Sequence, residues 1–319
     1  KDPVGQEPVP NGKRINMGAY GGTQEASKGV GGLVYHVDGI DGSDTNDGLS
    51  KRTAFATIQK GVDSARDRDV VLVWPGVYRE QVNFDGKAIT VASAGDAAVV
   101  TAPIGYAFSF YTAEQRDSVL RNFIIKDSEY GIFCNGASPT ISNLTVVNNG
   151  FGLVSYGGLC PDISNCIFWN NRDGDLFQDL FRECEARYSC LLQNSFDRGK
   201  GNIDDDPLFA DANNGDFHLL SERGRYWPAY DVWVIDEVTS PCIDGGDPNV
   251  CPSRERMPNG GRLNMGAYGG TPYASMSEWQ LKGDINHDGT VNMKDFAIWA
   301  ENWLECTRWA QNMPPEVDL

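Results

Sequence analysis

Short apolar segments recur along the middle of the chain, and each is followed by asparagine and then by Gly or polar turn residues. Residues 139–149 align with residues 161–171 at an offset of 22, with Pro, Ile, Ser and three Asn matching. Residues 120–127 and 188–194 fit the same pattern at offsets of 21 and 24. Because one short coil cannot bury its own inward side chains, this period predicts the stacked coils of a parallel β-solenoid.

The register of the repeats makes specific predictions about the interior. Ile141 and Ile163 should point inward in adjacent coils, about 4.8 Å apart along the axis. Asparagine suits the bends because it tolerates left-handed backbone geometry, so stacked Asn or Cys residues should form ladders, with Cys190 above Cys166. Leucine-rich repeats have a similar period, but the sequence lacks their LxxLxL pattern. We therefore expect an all-β fold, a parallel β-helix.

A helical pattern precedes the repeats. Apolar residues at positions 55, 58, 62 and 65 step by three and four, which predicts an amphipathic helix with Thr53 near its start. An apolar strand at residues 70–74 and a Pro-Gly turn follow this helix. The end of a solenoid exposes unpaired backbone groups above an apolar core, so the helix is expected to be the N-terminal cap.

Residues 35–80 resemble the opening of right-handed parallel β-helix proteins of the pectate-lyase-like superfamily. The similarity lies in the stretch from Tyr35 to Gly48, in FxTIQ from Phe55, and in VxPGxYxE ending at Glu80. Residues 201–248 are similar to the closing region of large secreted bacterial β-helix proteins. The resemblance implies one right-handed parallel β-helix over residues 33–279, in a superfamily that includes polysaccharide lyases.

The two ends of the chain carry a duplicated segment. Residues 10–27 match residues 258–275 at 14 of 18 positions, so residues 1–32 form a tail that duplicates the module's end. One interpretation is a remnant of a longer tandem array. The other is that both segments dock in equivalent ways, in which case residues 1–28 mediate self-association into a homo-oligomer.

A calcium-binding pattern lies near the C-terminus. Residues 284–295 place oxygen donors at loop positions 1, 3, 5, 9 and 12, with Gly289 at position 6. Hard divalent cations need six to eight oxygen ligands, so the spacing predicts one bound Ca²⁺ ion. The predicted ligands are the side chains of Asp284, Asn286, Asp288, Asn292 and Asp295 and the backbone carbonyl of Thr290.

The calcium loop and the helix predicted after it, residues 296–304, resemble one half of a dockerin module. A full dockerin has two such units, whereas residues 305–319 contain no second loop. We therefore expect residues 280–319 to form a single EF-hand-like loop and helix that caps the C-terminal end of the solenoid.

Composition narrows the partners and the compartment. The chain has 27 basic and 44 acidic residues, for a net charge of −17, which argues against a nucleic-acid partner or an anionic membrane. No apolar run approaches the roughly 18 residues that span a bilayer. Eight cysteines without a CxxC pair favour disulfides and an extracellular, secreted protein.

Several charged residues in the repeats are candidates for chemistry on acidic glycans. A polysaccharide lyase needs a cation to neutralise a uronate carboxylate and a base to remove the C5 proton. Candidate bases are Arg121, Lys126, Arg172, Arg182 and Arg187, and candidate carboxylates are Asp127, Asp173, Asp175 and Asp179. A hydrolase would use an Asp pair, for which Asp173 and Asp175 come nearest. No catalytic motif of a β-helix enzyme matches residue by residue, so the catalytic residues stay unassigned.

Other polar and aromatic groups have two interpretations each. Asp38, Asp41, Asp44 and Asp47 are either a second cation site or a solvated turn, and Asp204–Asp206 are similarly ambiguous. Tyr226, Trp227, Tyr230 and Trp233 either stack on sugar rings or pack against the solenoid.

These observations leave three functions open. The first is an extracellular structural β-helix protein, stabilised by calcium, that self-associates end to end or attaches to a surface. The second is a polysaccharide lyase or hydrolase that acts on acidic glycans. The third is a non-catalytic glycan-binding module. The end duplication favours the first, the family resemblance the second and the aromatic residues the third.

Overall fold

The computed structural model describes residues 32–178, 184–192, 199–278 and 291–300. Within these ranges the chain forms a right-handed parallel β-helix of five complete coils, each of which adds one strand to each of three parallel sheets. Sheet A contains β1 (Val34–Val37), β2 (Val70–Val73), β5 (Thr90–Ser93), β8 (Val119–Arg121), β11 (Thr140–Ser142), β14 (Asp162–Ser164) and β17 (Ala186–Arg187). Sheet B contains β3 (Val77–Tyr78), β6 (Val99–Val100), β9 (Ile124–Lys126), β12 (Thr145–Val147) and β15 (Ile167–Trp169). Sheet C contains β4 (Val82–Asn83), β7 (Tyr106–Phe110), β10 (Tyr130–Asn135), β13 (Phe151–Tyr156) and β16 (Gly174–Gln178).

Short elements lie outside these three sheets. One α-helix, α1 (Ile58–Ser64), lies between β1 and β2, and residues 293–300 are also helical. The 3₁₀ turns are Lys51–Thr53 and Ala212–Asn214. Two antiparallel hairpins pair β18 (Phe209–Asp211) with β19 (Asp216–Leu219) and β20 (Arg225–Trp227) with β21 (Val232–Val234). In the part of the chain described, no helix is long and apolar enough to cross a bilayer.

Equivalent positions of successive coils stack to form the core. Ile141 pairs in register with Leu120 on one side and with Ile163 on the other, and all three side chains are fully buried. The prediction that Ile141 and Ile163 point inward in adjacent coils is therefore confirmed. Most strands contribute only one or two residues to this core, so the core exists only where coils stack.

Asparagines turn the chain between sheets, as the repeats predicted. Asn122, Asn143 and Asn165 have φ angles of +62°, +51° and +55°, and each links a strand of sheet A to one of sheet B. Left-handed backbone is costly for most residues and least so for Asn and Gly.

A buried asparagine ladder runs along the next corner, between sheets B and C. The backbone N–H of Asn149 donates to Oδ1 of Asn171 at 3.1 Å, and that of Ser128 donates to Oδ1 of Asn149 at 3.0 Å.

The predicted cysteine ladder is wrong by one residue. Cys190 pairs with Ile167 instead of lying above Cys166, because these two coils are offset by 23 residues, as the pairing of Ile163 with Ala186 already shows, and not by 24.

The N-terminal cap is shorter than the apolar spacing suggests. Helix α1 begins at Ile58, and Thr57 caps it by accepting from the backbone N–H of Lys60, whereas Thr53 ends the preceding 3₁₀ turn. The Glu80 carboxylate accepts from the N–H groups of Ile58 and Gln59 at 2.9 and 3.0 Å. These orphan donors need a partner, so a glutamate from the first coil fixes the helix on the solenoid.

The segment after the last coil covers the outside of sheet B. Phe217, Ala267 and Tyr268 pack against Ile124 and Val147 in a second apolar layer.

One disulfide joins Cys160 to Cys184, and Cys251 is also disulfide-bonded. The thiols of Cys134, Cys166, Cys190 and Cys242 are buried. Disulfides of this kind persist in oxidising compartments.

Candidate functional site

Six aromatic side chains form one surface on the outside of sheet C, which we call the aromatic face. Its members come from four successive coils and are Tyr106, Tyr130, Phe133, Phe151, Tyr156 and Phe177. Strand alternation sends Ile132 and Cys134 into the core, so Phe133 between them points outward. Tyr156 and Phe177 share this outward alternation, whereas Tyr106, Tyr130 and Phe151 are the first residues of their strands.

Register brings the rings together. Tyr106, Tyr130 and Phe151 are directly paired on neighbouring strands, while Phe133 and Phe177 both pair with Val154 on the strand between them. Glycine follows both Tyr130 and Phe151, and a Cβ at Gly131 or Gly152 would overlap backbone of the next coil. These two glycines allow the coils to approach closely at the corner, with the rings of the preceding residues outside.

The six rings make a closed circuit of aromatic contacts. Tyr106 lies 4.3 Å from Phe133 and 5.3 Å from Tyr130, measured between ring centroids. The other contacts, between 5.5 and 6.0 Å, are Tyr130–Phe151, Phe151–Phe177, Phe177–Tyr156 and Tyr156–Phe133. Tyr156 and Phe177 keep 39% and 38% of their surface exposed. Aromatic contacts of this geometry stabilise one another and hold the surface rigid.

Carboxylates border the aromatic face where the strands begin. Glu129 precedes Tyr130, and its Oε2 accepts from the backbone N–H of Gly105 at 2.9 Å. Asp173 pairs with Arg172 at 2.6 Å, and this hydrogen bond holds the pKa of Asp173 below its usual value. Burial raises the pKa of Tyr130, and the charges of Glu129 and Asp173 add to the effect. The face thus combines apolar ring surface with hydrogen-bond acceptors along one edge.

The charged residues singled out from the repeats do not assemble into one catalytic group among the described residues. Lys126 pairs with Asp127 at 2.9 Å, and Arg187 with Asp162 at 2.5 Å. Arg182 and Asp179 lie outside the described residues. Arg121 faces a cavity on sheet A, away from the aromatic face.

Asp175 has a structural place in the solenoid. It is buried at the corner where the two preceding coils have Gly131 and Gly152, and burial raises its pKa. Its carboxylate accepts from the Asn171 side-chain amide at 2.8 Å and from the backbone N–H of Leu192 at 2.9 Å. It therefore ends the buried ladder at the last full coil, and it does not pair with Asp173.

The acidic loop before the cap uses its carboxylates to hold backbone. Asp44 accepts from the N–H groups of Ala56 and Thr57, and Asp38 accepts from the N–H of Ile40 at 3.0 Å. Asp206 likewise accepts from the N–H of Leu208 at 2.9 Å. Among the residues the structure describes, no group of three or more His, Cys, Asp or Glu side chains could hold a metal ion. The carboxylates of Asp38, Asp44 and Asp206 therefore hold the backbone of turns.

Most of the predicted calcium loop falls outside the described residues, including Asp284, Asn286, Asp288 and Thr290. Of the remaining two ligands, Asp295 is buried, and its Oδ2 accepts from the backbone N–H of Asn292 at 2.7 Å. The helix begins at residue 293, before the predicted start at 296, because the Asn292 side chain caps it by accepting from the N–H of Lys294. Phe296 and Trp299 contact each other at 5.7 Å and keep 54% and 44% exposure.

The aromatic residues Tyr226, Trp227, Tyr230 and Trp233 lie in the β20–β21 hairpin. Tyr226 packs on Tyr273 at 4.9 Å and donates its hydroxyl to Asp231 at 2.9 Å. Trp227 lies edge-on to Tyr230, which is 68% exposed. Tyr226 thus packs against the closing segment, while the tip of the hairpin is solvent-exposed.

The C-terminal copy of the duplicated segment, residues 258–275, docks on the seam between sheets A and B. The Asn122 side-chain amide donates to the carbonyls of Ala267 and Gly269 at 3.0 Å each, and Gly266 N–H donates to Asn165 O at 2.8 Å. Thus residues that turn the solenoid also hold its closing segment. The N-terminal copy lies outside the described residues.

The carboxylate of Glu255 holds the backbone of this closing segment. Its Oε1 accepts from the N–H groups of Asn264 and Gly270, both at 2.8 Å. The side chain is fully buried, and burial raises its pKa to about 8. At the offset of 248 that relates the two copies, Glu255 corresponds to Glu7, so the duplication includes this anchor.

Two comparisons with known proteins give matches. A family model described as "Disaggregatase related" matches residues 192–246. The solved structure of pectate lyase Pel9A is similar at 13% identity, with 73% of this chain and 95% of that chain covered and a TM-score of 0.23. No curated protein matches the sequence. A likeness this distant says nothing about activity, and the fold is established by the coils themselves.

The aromatic face was not among the predicted sites, although the sequence carries a signal for it. Tyr106, Tyr130 and Phe151 are separated by 24 and 21 residues, close to the offsets of 21 and 22 that relate the asparagine turns. Applying the repeat period to aromatic residues would have placed them in one row.

Proposed function

We propose that the protein is an extracellular glycan-binding β-helix whose binding surface is the aromatic face. The observation that carries the proposal is the closed circuit of six rings on the outside of sheet C. Exposed apolar patches bordered by polar groups mark interaction sites. The disulfides support an oxidising, extracellular setting.

The chemistry of the face fits a hydroxyl-rich sugar chain. Sugar rings present apolar C–H faces that stack on aromatic rings, and their hydroxyls donate to carboxylates such as Glu129 and Asp173. The row Tyr106–Tyr130–Phe151 repeats at the coil spacing of about 4.8 Å, which suits an extended chain along the solenoid axis. The acidic border and the net charge of −17 favour neutral segments of glycan at this face.

Binding without cleavage is the form of the proposal that the charged residues support. Lys126 and Arg172, the candidate bases nearest the face, are engaged with the adjacent Asp127 and Asp173.

Affinity electrophoresis tests this function. The protein is run through gels containing xylan, β-glucan, galactomannan or polygalacturonate, alongside the variants Tyr130→Ala and Tyr156→Ala. Tyr230→Ala is the matched control, because it removes an exposed tyrosine from the hairpin. Retardation by a neutral polysaccharide should be lost in the first two variants and kept in the control. If no polysaccharide retards the protein, the proposal is wrong.

Self-association through residues 1–28 is a second candidate, supported by how the C-terminal copy docks. The equivalents of Arg262, Asn264, Met265 and Tyr268 are all retained in the N-terminal copy as Arg14, Asn16, Met17 and Tyr20. In the C-terminal copy, Tyr268 stacks on His218 at 3.7 Å and Arg262 donates to the carbonyls of Gly245 and Gly246. We infer that the N-terminal copy docks on the seam between sheets A and B of a second subunit. This docking would be a head-to-tail contact.

Calcium binding at residues 284–295 completes the proposal. Asp295, which is buried, and Asn292, whose backbone N–H donates to Asp295, would supply loop positions 12 and 9. A bound Ca²⁺ ion would fix this helix next to the loop and stabilise the C-terminal end of the protein.

A further inference from the structure

Two buried thiols meet where the closing segment crosses the last coil. Cys190 follows β17 and pairs with Ile167 of the coil before it. Cys242 belongs to the segment that closes the solenoid, and its side chain lies in the same apolar cluster as that of Cys190. Neither cysteine has any exposed surface. The cysteine that the repeats placed above Cys166 therefore packs beside Cys242 instead.

The two sulfur atoms are in direct contact. The Cys190 thiol is hydrogen-bonded to that of Cys242, and Cys190 Sγ also lies 3.3 Å from the carbonyl oxygen of Asp205. This contact, and then burial, raise the pKa of the Cys190 thiol. Sulfur atoms at hydrogen-bonding distance need only a small shift to reach the disulfide bond length of about 2.05 Å. The pair is therefore placed as a disulfide requires.

The other two buried thiols have different neighbours. Cys134 pairs in register with Phe110 on one side and with Ser155 on the other. Cys166 Sγ donates to the carbonyl oxygen of Ser164 at 3.2 Å. Among the four buried thiols that the structure describes, the pair in contact is thus formed by the one after the last coil and the one in the closing segment.

We propose that Cys190 and Cys242 are joined by a further disulfide in the secreted protein, and that this bond locks the closing segment onto the last coil. The inference rests on the extracellular setting of the proposed function, in which disulfides such as Cys160–Cys184 persist. The oxidant is a protein or small-molecule disulfide. One cysteine thiolate attacks this disulfide and releases a first thiol, and the second thiolate then attacks the mixed disulfide and releases the other thiol. The two cysteines lose two protons and two electrons, and the oxidant becomes two thiols.

Burial sets the order of events and the effect of the bond. The thiolate is the reactive form and burial disfavours it, so oxidation should precede docking of the closing segment. The bond closes a loop over residues 190–242, which contains both antiparallel hairpins, and so it reduces the freedom of the unfolded chain. The backbone N–H of Met265 donates to the carbonyl oxygen of Cys242 at 2.9 Å. The bond therefore also restrains the duplicated residues 258–275 where they dock.

Peptide mapping of the full chain tests the bond. The protein is exported to an oxidising compartment of the expression host and alkylated in denaturant without reductant. It is then cut with trypsin and Asp-N, which together separate Cys242 from Cys251. The peptides of Cys190 and Cys242 should be linked, and the other two buried thiols should be alkylated. Alkylated Cys190 and Cys242 beside an intact Cys160–Cys184 link would overturn the inference, and loss of both links would overturn the oxidising setting on which it rests.

Two matched variants separate the bond from packing. Cys242→Ala should leave Cys190 open to alkylation in denaturant, whereas Cys134→Ala, which removes another fully buried thiol, should leave the link in place. The Tm of Cys242→Ala should be about 5–10 °C below that of Cys134→Ala, because only the first variant loses a cross-link. Equal Tm values would contradict a bond that locks the closing segment. Retardation by a polysaccharide that persists while Cys190 is alkylated in the wild-type protein would count against this inference alone.

Discussion

Tyr130 and Phe151 occupy the same position on neighbouring coils, with ring planes 6° from parallel and centroids 5.8 Å apart. Their relationship is set by backbone register, because the strands that carry them are hydrogen-bonded along their length. A binding surface built in this way loses little conformational freedom when a ligand stacks on it. The solenoid therefore serves as a rigid scaffold, and the function we propose depends on its periodicity.

The buried asparagine ladder should be a major source of stability at the corner beneath the aromatic face. Asn149→Ala would leave the N–H of Ser128 and the carbonyl of Ile125 without their side-chain partner. The expected loss is about 1–3 kcal/mol in the free energy of unfolding, measured by denaturant titration. Asn135→Ala, at an exposed strand end, is the control and should change stability by less than about 0.5 kcal/mol. Equal effects of the two variants would contradict the ladder's role.

Glu255 should make stability depend on pH. Burial raises its pKa to about 8 in the folded protein, above the unfolded value of 4.5, so the folded state binds the extra proton between these values. Its contribution is complete below about pH 4.5 and is lost as pH rises towards 8. Glu255→Gln keeps the acceptor oxygen and should flatten this dependence between pH 5 and 8, measured by thermal unfolding. An unchanged pH profile in the variant would show that Glu255 does not titrate in this range.

Residues 1–28 should be required for association between subunits. Sedimentation velocity over a range of concentrations should show oligomers of the full chain, and only monomers after deletion of residues 1–28. The point variant Tyr20→Ala should weaken association, because its counterpart Tyr268 stacks on His218. Circular dichroism should show the same β content throughout. A truncated chain that associates like the full chain would mean that the tail is a remnant.

Calcium should protect the C-terminal region from proteolysis. Calorimetry should detect one bound ion per chain. Asp284→Ala combined with Asp288→Ala should abolish binding, because each substitution removes a negatively charged ligand. Limited proteolysis should then cut near residues 291–300 in the variant, or in wild type with chelator, but not in wild type with calcium. Asp41→Ala, in the exposed acidic loop, is the control. Identical cleavage with and without chelator would argue against a calcium-locked cap.

The sequence predicted features that repeat and missed those that depend on distant contacts. Ile141, Ile163 and the asparagine turns follow from a local period, so they were readable from one chain. The start of α1 was placed too early because the Glu80 carboxylate that fixes it comes from the first coil, 22 residues after Ile58. The sequence suggests that Arg121 is a surface charge, whereas the structure half-buries it beside the loop at residues 249–254. The aromatic face was missed because aromatic residues in strands usually signal core packing.

Saturation-transfer NMR tests the central proposal most directly, using oligosaccharides of the polysaccharide that retards the protein most. When aromatic protons are irradiated, saturation should transfer to the C–H protons of the sugar. Affinity should rise with the length of the oligosaccharide until it spans the row Tyr106–Tyr130–Phe151. The transfer should fall sharply in Tyr130→Ala and persist in Tyr230→Ala. Transfer that is equal in the two variants would contradict glycan binding at the aromatic face.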